Sequence, residues 1–439
     1  MNLKQPGILF IATALLALFA GVCMGAIAAF QFVIPGFFEL LPFFKSRPLH
    51  VSLVVSWIFL CSIGGIYYYL PKQCNQPLFS TRLVTIHFWL FLLTGLGILA
   101  SYIAGRFGGR EYWEFPPYFS IPIIVSWLIF GYNYFRTVIK RKEKWPVHLW
   151  MWATGIFFFF LTFLEANLWV FSYFSDNIVR EITIQWKAYG ALVGSWNMLV
   201  YGTAIFLMEK ISGDTKIGMS KAAFFMFFLG LTNLIFGWAH HIYIVPASPW
   251  IRHFAYAISM TELLVLAKII WDWKASLLHA QKYRHHISYY FLMASEVWIF
   301  LNLILAILIS IPAINIFTHG THITVAHSMG STIGINTMIL FASVYFVLQE
   351  NAQKKLSTAR LKFGIGTTNI ALLVFWICLI LAGYTKGVLA MEGILSFQEI
   401  MEHIAPYLMG FAIAGVALFI GITIIVWTAL SRIYSTSRS

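Results

Sequence analysis

The sequence predicts an all-α integral membrane protein with about twelve transmembrane helices, on three observations. Of its 439 residues 60% are hydrophobic and only 10% charged, with a mean hydropathy of +0.80, a balance that soluble globular domains do not reach. Apolar runs of 18 or more residues with few charges recur from end to end, each long enough to cross roughly 30 Å of hydrocarbon as a helix. The turns between them are short, with no linker, soluble insert, low-complexity tract or internal repeat. Residues 1–439 therefore read as a single polytopic membrane domain.

The spans fall near residues 8–32, 50–70, 85–104, 119–137, 148–173, 187–208, 220–241, 252–272, 286–310, 321–347, 364–385 and 403–430. The first has the look of a signal peptide, with Lys4 ahead of an apolar run ending in MGAIAAF. Its run is longer than a signal core, so a retained first helix is expected. Orientation follows from the cationic residues of alternate loops. Of the 29 Lys and Arg, about 20 lie at the termini and in the loops after even-numbered spans, among them Lys140, Arg141, Lys142, Lys144, Lys210, Lys216 and Lys221, against about 8 in the opposite loops. Both termini are expected to face the cytoplasm of a bacterial inner membrane. The formal charge of +13 is then this inside bias, meeting anionic lipid, and a nucleic-acid partner has no support. The four cysteines, Cys23, Cys61, Cys74 and Cys378, form neither a disulfide framework nor a zinc motif, and no CxxCH is present for covalent haem.

Ionisable groups inside spans are costly, so each is a candidate functional residue. They are Glu165, Lys187, Glu262, Lys268, Glu296 and a set of histidines. Lys268 lies near a helix end, where snorkelling explains it. His87, His148, His253 and His403 sit toward span ends and read as interfacial. Four others differ: His50 opens span 2, His240 and His241 close span 7, and His327 lies just inside span 10, all at one end of the bundle. Four imidazoles from three helices at one depth point to a shared buried site for haem iron or a non-haem metal. The alternative is that each bonds only its own surroundings. Adjacent histidines on a helix diverge by about 100°, but Pro246 and Pro249 follow closely, and a helix that ends there can turn both to one ion.

These residues resemble the catalytic subunit I of the haem-copper oxidase superfamily, and within it the cytochrome c-dependent nitric oxide reductases. The likeness spans nearly the whole chain: SRPLHVSLVVSWIF at the start of span 2, FGWAHHIYIVP, THGTHITVAH in span 10, and GREYWEFP at 109–116. It implies a low-spin haem b on His50 and a high-spin haem of the b3 type on His327. It further implies a non-haem metal on His240 and His241, iron in the reductases and copper in the oxidases. Glu111 and Glu114 match an acidic loop that binds calcium between haem propionates, and Glu262 in SMTELLVLA matches a glutamate near the catalytic metal. His319 and His322 then serve as supporting or propionate-side groups. The implied activity is reduction of 2 NO to N2O, fed with electrons by a membrane-anchored c-type cytochrome subunit, because little chain precedes span 1 to carry its own electron-input domain.

Two departures qualify the resemblance. Where the family has a second histidine two residues after the first, this chain has Met329 in HSM. Positions two apart face opposite sides of a helix, and a thioether is a competent axial ligand that raises the reduction potential relative to a second imidazole. In span 6 the family's metal-binding histidine and two acids fall on Tyr189, Val193 and Asn197. The metal must then draw on Glu262, Tyr189, Asn197 or exogenous ligands. A divergent enzyme that dismutates NO or reduces oxygen, and a non-catalytic haem protein for electron transfer or gas sensing, remain the alternatives.

Overall fold

The computed structural model describes residues 5–238, 243, 248–277, 285–351 and 358–437. Within them the chain is an α-helical bundle. Eleven helices are long and apolar enough to cross a membrane, and Lys221–Phe236 is a shorter apolar helix at the expected seventh position. We number the twelve α1 Ile8–Gln31, α2 Phe43–Cys74, α3 Thr81–Ile103, α4 Ser120–Val138, α5 Val147–Ala166, α6 Ile178–Ser212, α7 Lys221–Phe236, α8 Pro249–Ser276, α9 His286–Ser310, α10 His322–Glu350, α11 Thr358–Glu392 and α12 Phe397–Ser437. Helices are the expected outcome, since hydrocarbon satisfies no backbone group from outside.

Local chemistry sets the ends. Ser80, Asn177, Ser220 and Thr321 each accept a hydrogen bond from a backbone N–H of the first turn of α3, α6, α7 and α10, satisfying donors that the helix leaves open. Asn75 and Gly213, both in the left-handed region, close α2 and α6. Close packing relies on small residues. A Cβ on Gly7 would lie 2.1 Å from the Gly64 carbonyl oxygen, and one on Gly155 would lie 2.7 Å from that of Ser195. These approaches draw α1 onto α2 and α5 onto α6.

The most enclosed helices are α10 and α6, with 83% and 78% of their most apolar stretches buried. They are thus the interior walls of the bundle. The loops α2–α3, α4–α5 and α6–α7 lie at one end, which we call the basic face; His50, His322 and His327 lie toward the opposite one.

Candidate functional site

The site is built first on α2. The helix begins at Phe43, seven residues earlier than the hydropathy pattern alone places it, so His50 sits roughly 10 Å inside its end rather than at its mouth. His50 Nδ1 donates to the Gly21 carbonyl of α1 at 2.7 Å. A carbonyl only accepts, so Nδ1 carries the proton and Nε2 keeps its lone pair. This is the arrangement that orients a metal-bound imidazole. The ring fits because α1 is glycine there: a Cβ on Gly25 would stand 2.6 Å from His50 Nδ1. Gly25→Ala is expected to push the ring off Gly21; on the resemblance's assignment of the low-spin haem to His50, the variant should lose that haem alone, as read by reduced-minus-oxidised spectra and haem per chain.

On α10, His327 lies roughly 8 Å inside the helix end, at the same end of the bundle as His50. Its Nδ1 is buried without a hydrogen-bond partner, and the backbone carbonyl of Asn302 lies beside the ring. An unmet buried polar atom costs about 1–3 kcal/mol, which a ligand to the ring would offset. Met329, half-buried, packs against the main core. Immediately after it, Gly330–Thr337 adopts a π-helix, a form concentrated at functional sites. Two glycines permit it against α9: a Cβ on Gly330 would meet Asn302 Oδ1 at 2.3 Å and one on Gly334 would meet Trp298 at 2.3 Å. Thr337 Oγ1 donates to the Thr332 carbonyl at 2.8 Å and accepts from Trp57 Nε1 at 3.0 Å. Trp57 is one of α2's residues, so the two histidine-bearing helices are locked together.

His319 and His322 stand at the entrance of α10. The His319 ring lies against Trp186, and Lys386 Nζ reaches the Gly320 carbonyl at 3.5 Å. Burial lowers the His319 pKa, which keeps that imidazole neutral at pH 7. His322 Nδ1 is buried without a hydrogen-bond partner.

The α6 candidates separate. Tyr189 is buried beside Ala166, Ala188 and Trp113, edge-on to Tyr112 at 5.6 Å, its hydroxyl without a partner. Asn197, roughly 12 Å further along the helix, accepts from Asn336 Nδ2 of the π-helix at 3.2 Å. Tyr189 therefore belongs under the 109–116 loop and Asn197 against α10, so the two do not converge on one point. Lys187 and Glu165, both singled out in the sequence, form an ion pair at 2.5 Å.

That loop folds on itself. Gly108 and Gly109 both donate to the Glu114 carbonyl at 3.1 Å, and a Cβ on Gly109 would overlap the Trp113 carbonyl at 1.7 Å. Arg47, three residues before His50, holds Glu111 at 2.8 Å and Glu114 at 2.6 Å; sequence reasoning missed this residue, whose spacing from His50 was the available signal. Arg110 pairs with Glu181 and lies over Trp169. Calcium takes six to eight oxygens. Two carboxylates already met by a guanidinium do not make such a site alone, and no group of three or more His, Cys, Asp or Glu able to hold a metal occurs among the described residues. His240 and His241 lie outside the described residues, as does the Glu262 side chain.

Two readings of the histidines need correction. His87 and His148, expected at an interface, are fully buried. His87 bonds the Tyr67 hydroxyl at 3.0 Å within a ring of Phe10, Phe91 and Phe130. His148 lies 3.2 Å from Gln73 and 3.3 Å from Glu209. Glu296, buried in α9, pairs with Lys274 at 2.6 Å. His253 and His403 are exposed as expected, and Lys268 pairs with Asp272 at 2.9 Å.

Comparisons with known proteins agree with this architecture. The family model described as "Cytochrome C and Quinol oxidase polypeptide I" matches residues 5–417. The B chain of the nitric oxide reductase of Stutzerimonas stutzeri is 23% identical over 95% of this chain and 92% of its own length. The Cbb3-type cytochrome c oxidase subunit CcoN1 of the same organism is 21% identical over 88% of this chain and 85% of its own. A solved heme-copper terminal oxidase dimer superposes with a TM-score of 0.77 at 15% identity, covering 100% of this chain and 85% of that one, a likeness of fold. The half-buried imidazoles of α2 and α10 suit a family that binds haems and a non-haem metal. The chain belongs to the cytochrome c and quinol oxidase polypeptide I family, the subunit I of the haem-copper oxidases, multi-pass membrane oxidoreductases.

Proposed function

We propose that this chain is the catalytic subunit of a nitric oxide reductase-like respiratory enzyme of a bacterial inner membrane, converting two NO, two electrons and two protons into N2O and water. The observation that carries the reading is the pair of half-buried imidazoles on two neighbouring helices, His50 with its proton fixed on Nδ1 and His327 with a buried ring nitrogen that has no hydrogen-bond partner. A relative that agrees over nearly the full length is named as part of a nitric oxide reductase.

In this reading His50 and Met329 hold a low-spin haem b, His327 holds a high-spin b3-type haem, and His240 and His241 with Glu262 hold the non-haem iron, copper being the alternative. The haems and metal supply electron transfer and NO binding when present. The chain supplies position and polarity. The Gly21 carbonyl fixes the His50 tautomer, and the Asn197–Asn336 pair sets α6 against α10 below His327. Tyr189 keeps a phenolic proton in a buried place with no acceptor. Glu111 and Glu114, drawn to Arg47, face the side where a membrane-anchored c-type cytochrome would dock; a calcium ion there would need propionate oxygens to complete its shell.

Val193 and Asn197 stand where the familiar reductases have acids, which favours a divergent enzyme that dismutates NO as the second reading. Relatives of this chain include named oxidases, but Val193 also occupies the place of the oxidases' tyrosine, which disfavours ordinary oxygen reduction. Anaerobic NO consumption by the purified complex, with N2O and O2 measured together, separates them. N2O in a 1:2 ratio to NO with no O2 is expected. O2 release marks a dismutase, and no consumption leaves an oxygen-reducing member, which O2 uptake then reveals, or a haem conduit or sensor.

A further inference from the structure

The loop from α4 to α5 holds Lys140, Arg141, Lys142 and Lys144 against the single acid Glu143, and Glu143 is held by Arg141 at 2.6 Å. Beyond it, at the basic face, an open recess of about 430 Å³ is lined by Lys144, Trp145, Trp150, Met219 and Phe224. Its floor is aromatic, with the Trp145 and Trp150 rings 4.9 Å apart. Lys221 opens α7 three residues before Phe224, on the same helix face, which puts a second, exposed ammonium at the end of α7 that borders the recess. Neither Lys144 nor Lys221 has an acidic partner among the described residues, and both are exposed.

Below the recess the two helix walls continue as apolar ridges. On α5 the exposed Trp150, Phe157 and Leu161 follow one face, and on α7 the exposed Phe228 and Ile235 continue from Phe224. A cationic rim, an indole belt and an apolar furrow stacked in that order match the layers of a phospholipid, in which phosphate, glycerol region and acyl chains follow one another. Indoles sit by preference at headgroup level, and basic pockets between membrane helices take anionic headgroups.

We propose that this recess binds one anionic phospholipid, its phosphate between Lys144 and Lys221 and its acyl chains along Trp150, Phe157, Phe224 and Phe228. A free anion would use the rim alone; a zwitterionic lipid brings the same phosphate together with a quaternary ammonium that the two lysines repel, so an anionic lipid is the one whose headgroup and chains both suit the recess. The test is native mass spectrometry of the intact complex titrated with phosphatidylglycerol or phosphatidylcholine of identical chains. One phosphatidylglycerol should be retained in preference. The double variant Lys144→Ala, Lys221→Ala should lose that preference roughly tenfold, and Lys144→Arg with Lys221→Arg should keep it. Because both side chains are exposed, haem spectra and melting temperature should stay at wild-type values, which separates lost lipid from lost fold. Equal retention of phosphatidylcholine overturns the proposal, as do undiminished preference in the alanine variant, displacement of the lipid by millimolar inorganic phosphate, and a polypeptide found in place of lipid on this face.

Discussion

Replacing His327 with alanine is expected to lower the haem content from two per chain to one and to bring NO turnover down to the assay background. The haem lost should be the high-spin one. His327 is on α10, whose first eight residues are regular helix and whose next eight are a π-helix fixed against Asn302 and Trp298. The imidazole is thereby fixed in a wall of the bundle that cannot shift to bring up a substitute. His50 is on another helix, with its own bond to Gly21, so the low-spin spectrum should survive. Haem extraction and electron paramagnetic resonance of the oxidised protein give the two readouts. Loss of both haems together, or of neither, would remove the assignment of one haem to each histidine.

Met329→Leu is expected to abolish the long-wavelength sulfur-to-iron absorption band of the oxidised protein and to turn the low-spin haem partly high-spin. Leucine fills nearly the same volume, and such exchanges cost less than about 1.5 kcal/mol in a core, so the fold should hold. Met329→His should restore a low-spin spectrum with a lower reduction potential, because a second imidazole favours the oxidised iron relative to a thioether. Met329 and His327 stand two residues apart on a regular turn and so face opposite sides, as the proposed sharing of one helix between two haems requires. An unchanged spectrum and potential in both variants would make Met329 a packing residue.

The number, order and position of the helices were legible in the string of residues alone. Each apolar run must satisfy its backbone internally in hydrocarbon, so a span is a local property, readable at eleven of the twelve positions, while the seventh is the shorter helix Lys221–Phe236 among the described residues. That His50 and His327 lie toward one end of the bundle followed from the same counting, but the depth of His50 did not, because α2 begins at Phe43, seven residues ahead of the apolar run. Glycines at 21, 25, 330 and 334 were visible as letters, but their purpose depended on which helix lay opposite.

The pairings came only with the folded bundle. His87 and His148 looked interfacial because distance from a helix end is local, whereas burial depends on Phe10, Phe130, Gln73 and Glu209 brought in from other helices. Arg47 meets Glu111 and Glu114 across 64 and 67 residues of chain, and Asn197 meets Asn336 across 139; no periodicity records such partners. Tyr189 and Asn197, eight residues apart on one helix, were read as one pocket lining. They separate because a helix of this length passes two neighbours in turn, first the 109–116 loop and then α10. The π-helix arises likewise from the fit of Gly330 and Gly334 against α9, a contact between distant segments that overrides the regular turn of α10.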